Sequence, residues 1–104
     1  MDIQVKRGLL DACVLSALCS GDSYGYKIIQ DVSSVIEISE STLYPILKRL
    51  EAAGALRSYS VEHNGRLRKY YSITPAGHSK IDDYLADWEQ LMRVYEFIRK
   101  GTAQ

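Results

Sequence analysis

Cysteine is scarce in this chain, and its two copies are poorly placed for chemistry. Cys13 and Cys19 lie six residues apart on an expected helix, about 240° apart around its axis, so they cannot bridge to each other. The spacing is neither a metal nor a redox pair, and buried structural thiols are expected. Histidine is equally rare. His63 and His78 have no serine, cysteine or carboxylate partner at an interpretable spacing, and no phosphate-cradling glycine loop occurs. An enzyme, a metal and a cofactor are therefore not expected. No apolar run approaches the roughly 20 residues that span a bilayer. The N-terminus lacks the basic segment and apolar stretch of a secretory signal, so a cytoplasmic protein with no membrane partner is expected.

Net charge is also missing, since thirteen cations balance thirteen anions. Its distribution is uneven. Residues 48–69 hold six cations (Lys48, Arg49, Arg57, Arg66, Arg68 and Lys69) against Glu51 and Glu62. From residue 82 to 96 the balance reverses, with Asp82, Asp83, Asp87, Glu89 and Glu96 against Arg93. A basic middle and an acidic end give a dipolar molecule with one polyanion-attracting side. With 46% apolar and 25% charged residues over 104 positions, the chain has the make-up of one ordinary globular unit.

The most informative stretch is residues 39–50. At about 100° per residue, Leu43, Ile46, Leu47 and Leu50 fall in one apolar stripe. Ser41, Pro45, Lys48 and Arg49 face the opposite way, with Tyr44 at the margin. Ser39 is placed to cap this helix, with Glu40 at its positive end. Small hydroxyls, an aromatic and two cations suit a helix laid in a DNA groove, where they can donate to phosphates and base edges.

Two helices precede it. Residues 4–19 repeat Leu10, Val14 and Leu18 at helical spacing. Residues 24–35 offer Ile28, Ile29, Val32 and Val35 as a buried set, with Ser23 as cap and Gly25 permitting close approach of a helix or phosphate. After Gly54 comes a hairpin, 55–62 and 67–73, around the two-residue turn Asn64-Gly65. That turn pairs Leu56 with Ile73, Ser58 with Tyr71 and Tyr59 with Tyr70. Thr74-Pro75 then starts a last helix as cap and first position. On it Ile81, Tyr84, Trp88, Leu91, Tyr95 and Ile98 recur as a heptad seam, widened by Leu85 and Met92.

Three helices, a hairpin and a trailing helix predict a mainly α winged helix-turn-helix over residues 1–74, followed by a long dimerisation helix over 75–104. The third helix would enter the major groove, and the Asn64-Gly65 tip with Arg66, Arg68 and Lys69 would reach the flanking backbone. Helices one and four, through Leu10, Val14 and the seam, would join two copies on a roughly palindromic double-stranded operator.

These residues resemble the PadR family of bacterial transcriptional regulators. The likeness rests on Tyr24-Gly25-Tyr26-Lys27-Ile28, on Ser39-Glu40-Ser41-Thr42-Leu43-Tyr44-Pro45, and on Leu47-Lys48-Arg49-Leu50-Glu51. It continues through Gly54-Ala55-Leu56, Gly65-Arg66, Arg68-Lys69-Tyr70-Tyr71, Thr74 and Gly77. The resemblance implies a dimeric repressor released by a small ligand, of the compact kind with a single C-terminal helix. It further implies that Ser41, Thr42, Tyr44, Pro45 and Lys48 read the groove, that Tyr24 touches phosphate, and that Gly65, Arg66, Arg68 and Lys69 hold the backbone. Some compact members carry a Trp on the last helix whose paired copies sandwich flat aromatic compounds. Trp88 is therefore either plain dimer core or, with Tyr84, Leu91 and Met92, a stacking surface for an aromatic or cationic effector. A winged-helix module that binds proteins instead of DNA is the rival reading.

Overall fold

The computed structural model describes residues 1–103. Its first helix, α1 (Ile3–Ser16), opens with Asp2, whose carboxylate accepts from the Gln4 amide at 2.8 Å. A two-residue strand β1 (Ser23–Tyr24) leads into α2 (Gly25–Ser33), and α3 (Glu40–Ala52) follows. The hairpin is β2 (Leu56–His63) and β3 (Arg66–Ile73), and α4 (Pro75–Thr102) closes the chain. The sheet is antiparallel in the order β1-β3-β2. Three helices, this sheet and the long last helix make a winged helix-turn-helix with a C-terminal rod.

The hairpin has the register expected from its turn: Leu56 faces Ile73, Ser58 faces Tyr71 and Tyr59 faces Tyr70. Asn64 and Gly65 take φ of 52° and 78°, the left-handed pair that a tight two-residue turn requires. Strand β1 was not expected. Ser23 pairs with Tyr71 and Tyr24 with Tyr70, so Ser23 is a strand residue and Tyr24 occupies the α2 cap position without a side-chain bond.

The core lies where α1, α2 and α3 meet the inner face of the hairpin. Leu15, Leu18, Ile28, Leu43, Leu47, Leu50 and Leu56 are among its fully buried members. Leu10 and Val14 belong to it too, at 5% and 0% exposure. They are therefore core residues of one protomer and not contacts for a second copy. Helix α1 stops at Ser16 and gives way to turns, which leaves Cys13 half-buried and Cys19 exposed. Only the first behaves as a packed thiol, with burial pushing its pKa up. Val35 is likewise misplaced in the sequence reading. Helix α2 ends two residues before it, and Val35 stands 76% exposed while Ile36 and Ile38 pack inward.

Thr74 caps α4 by accepting from the Gly77 amide at 3.1 Å and donates to the Gly54 carbonyl at 2.6 Å. Gly77 is buried where the start of α4 packs against Ala55, just after α3, and Ile73 of β3. A methyl there would collide with the Ala55 carbonyl oxygen and lie 2.7 Å from Ile73 Cγ1. Gly77→Ala should therefore destabilise the protein by about 1–3 kcal/mol through overpacking, despite alanine's helix propensity. Gly101→Ala on the same helix meets nothing within 4 Å and should not lower stability. Urea denaturation of both variants checks the contrast.

Candidate nucleic-acid interface

Helix α3 divides as its periodicity predicts. Leu43, Ile46, Leu47 and Leu50 are buried, and Ser41, Thr42, Tyr44, Pro45 and Lys48 are exposed. Ser39 occupies the cap position, but its hydroxyl turns to those of Ser41 at 3.0 Å and Thr42 at 3.2 Å. No side chain caps the first backbone amides. The helix therefore begins as a cluster of three exposed hydroxyls.

Tyr44 does not project freely. Its ring lies across the start of α2, where a Cβ on Gly25 would sit 2.5 Å from the phenol oxygen. Gly25 thus allows close approach of a ring. Tyr44, Gly25, Tyr24, Tyr26, Arg68 and Lys69 surround a recess of about 350 Å³. Strand β1 is what brings these elements together. Pairing with β3 sets Tyr24 edge-on to Tyr70 at 5.5 Å, and Tyr70 stacks on Tyr59 at 5.8 Å. Arg68 lies 4.3 Å from the centre of the Tyr24 ring, a cation–π contact.

Tyr59 also donates to Asp22 at 2.5 Å. Hydrogen bonds from Tyr59 and then Ser72, with the nearby Arg57 charge, hold the Asp22 carboxyl below its usual range. At the hairpin tip Asn64, Gly65 and Arg66 are exposed, and Lys69 is exposed farther along β3. The helix face, the aromatic row and the tip are all rich in donors. Among the described residues no cluster of His, Cys, Asp or Glu could hold a metal.

Arg49 is the exception. Its guanidinium turns back toward α1 and forks onto Asp11 at 2.9 and 2.7 Å. Tyr84 of α4 adds a third contact to the same carboxylate at 3.3 Å. Hydrogen bonding to Asp11 raises the Arg49 pKa. Arg49 is therefore a strut between helices and is removed from the groove-facing set. Asp11, 4% exposed, went unremarked in the sequence. A lone acid inside the apolar stretch of α1 was the available signal.

On α4, Ile81 packs against the core and Tyr84 and Trp88 are half-buried. The last two stack on each other within one chain at 5.7 Å. Leu85, Leu91, Met92, Tyr95 and Ile98 are 49–57% exposed, as nothing in the protomer covers the outer part of the rod.

The two neighbouring cations of α3 should behave oppositely. Arg49→Ala leaves a buried carboxylate without its fork and should cost about 1–3 kcal/mol. Lys48→Ala should change stability by less than about 0.5 kcal/mol. Chemical denaturation of both variants measures the difference.

The family profile described as "Transcriptional regulator PadR-like family" matches residues 14–83. A transcriptional regulator from Mycobacterium tuberculosis is 32% identical over 91 residues, covering 86% of this chain and 85% of that one. The solved structure of a transcriptional regulator from Clostridium thermocellum superposes with a TM-score of 0.81 at 36% identity, covering 92% of this chain and 95% of the other. A PadR family transcription regulator from Clostridium difficile gives 0.77 at 30% identity, over 86% and 96% of the two chains. By the profile match over residues 14–83 and these relatives, this chain belongs to the PadR family of transcriptional regulators.

Proposed function

We propose that this protein works as a homodimer that binds a roughly palindromic operator and represses transcription until a small effector releases it. The observation that carries the proposal is the outward face of α3, where Ser41, Thr42, Tyr44, Pro45 and Lys48 are uncovered beside a rigid, arginine-bearing hairpin. In this reading α3 lies in the major groove, and Tyr24, Asn64, Gly65, Arg66, Arg68 and Lys69 bracket it along the backbone. The uncovered outer seam of α4 supplies the twofold contact. There the stacked Tyr84–Trp88 pair, with Leu91 and Met92, meets its copy and offers aromatic faces and adaptable volume to a flat aromatic or cationic effector.

Titrating the protein into labelled duplex from upstream of its own gene, at several salt concentrations, tests the first part. Binding should weaken as salt rises, with a log–log slope of about −0.9 per phosphate neutralised. Arg66→Ala should make that slope shallower by about one, and Tyr44→Ala with Lys48→Ala should abolish operator recognition while leaving oligomeric state unchanged. Binding that is absent at low salt would favour the protein-interaction reading. For the seam, Leu91→Asp and Ile98→Asp alter residues 56% and 57% exposed in the protomer. Each should therefore yield folded monomer in sedimentation velocity, and an unaltered dimer would exclude this interface.

A further inference from the structure

A cleft of about 500 Å³ separates the first two turns of α1 from the N-terminal half of α3. Its floor is apolar, made by the buried Leu10 and Ile46, with the exposed Ile3 and Pro45 beside them. Its rim is cationic. Lys6 and Arg7 are exposed and have no ion-pair partner among the described residues. Arg49 also borders the cleft, but Asp11 already neutralises it. No carboxylate lines the cleft; of the acids nearby, Asp2 caps α1 through the Gln4 amide and Asp11 is held by Arg49.

We infer that this cleft seats a stretch of DNA sugar-phosphate backbone, so that Lys6 and Arg7 carry the protein's grip one strand beyond the groove that α3 enters. The inference rests on the DNA-binding reading above. Three observations point the same way. Two unpaired cations attract a polyanion. The first-turn amides of α3, which no side chain caps, add the positive end of a helix on the same side, and Glu40 of that turn lies outside the cleft lining. The apolar floor suits the carbon faces of deoxyribose, which a bare inorganic anion would leave empty.

Continuity decides between DNA and a small anion as occupant. Ser41, Thr42 and Pro45 line the cleft and also stand on the outward face of α3. A backbone leaving the groove past those residues enters the cleft without a change of surface. Neither Lys6 nor Arg7 stood out in the sequence, because both lie outside the basic stretch of residues 48–69.

The test is Lys6→Gln combined with Arg7→Gln in the full chain, read by anisotropy with a labelled random-sequence duplex over a salt series. Two lost contacts should make the log–log slope shallower by about 1.8 and weaken binding roughly 10- to 100-fold at low salt. Melting temperature and oligomeric state should be unchanged, since both side chains are exposed. If wild type binds with a steep slope and the double variant matches it, the cleft carries no backbone and the inference falls alone. Should wild type show no salt-dependent binding, the DNA-binding reading fails and takes this one with it. A changed oligomeric state in the double variant would make the cleft a seat for another copy, and inorganic phosphate shifting its NMR signals without any slope change would make it a small-anion site. Either result overturns the proposal.

Discussion

The carboxylate of Asp11 holds three helices in one geometry. It is buried, and a buried carboxylate costs several kcal/mol unless charge and hydrogen bonds answer it. Arg49 meets both oxygens from α3, and the Tyr84 hydroxyl reaches one of them from α4. Rotating α3 about its axis, or sliding α4 along α1, would strand that charge. The side chains on the opposite face of α3 are thereby held at a fixed angle to the rod. Tyr84 also stacks on Trp88, so the hub extends into the aromatic part of the last helix.

A second constraint is the short strand β1. By pairing with β3 it joins the start of α2 to the hairpin through two residues only. The row Tyr24, Tyr70 and Tyr59, with Arg68 over the first ring, then behaves as one plate. Tyr44 closes the remaining gap from α3, its phenol oxygen lying where a Cβ at position 25 would come. Helix face and hairpin thus adjoin in one surface, although Gly54 and its neighbours separate them in the chain.

The local structure was largely legible in the sequence, because its signals are short-range. Asn64-Gly65 determined the hairpin register, Thr74-Pro75 the start of α4, and the Leu43, Ile46, Leu47 and Leu50 spacing the buried side of α3. What escaped depends on contacts distant in sequence. Arg49 sits outward on a helical wheel, yet its long side chain bends to a carboxylate 38 residues away. Leu10 and Val14 share a helical stripe with nothing to say which neighbour covers it, and the answer was α1's own domain core. Strand β1 is too short to leave a periodic trace.

Pro45 has a further consequence. It lies inside α3 and carries no N–H, so the carbonyl of Ser41 loses the amide that a helix would normally offer it four residues on. Among the residues of that face, Ser41 therefore has a main-chain oxygen without its usual amide donor. Truncating side chains one at a time would leave that oxygen in place. Only replacing the imino acid itself would remove it, by closing the missing rung of the helix.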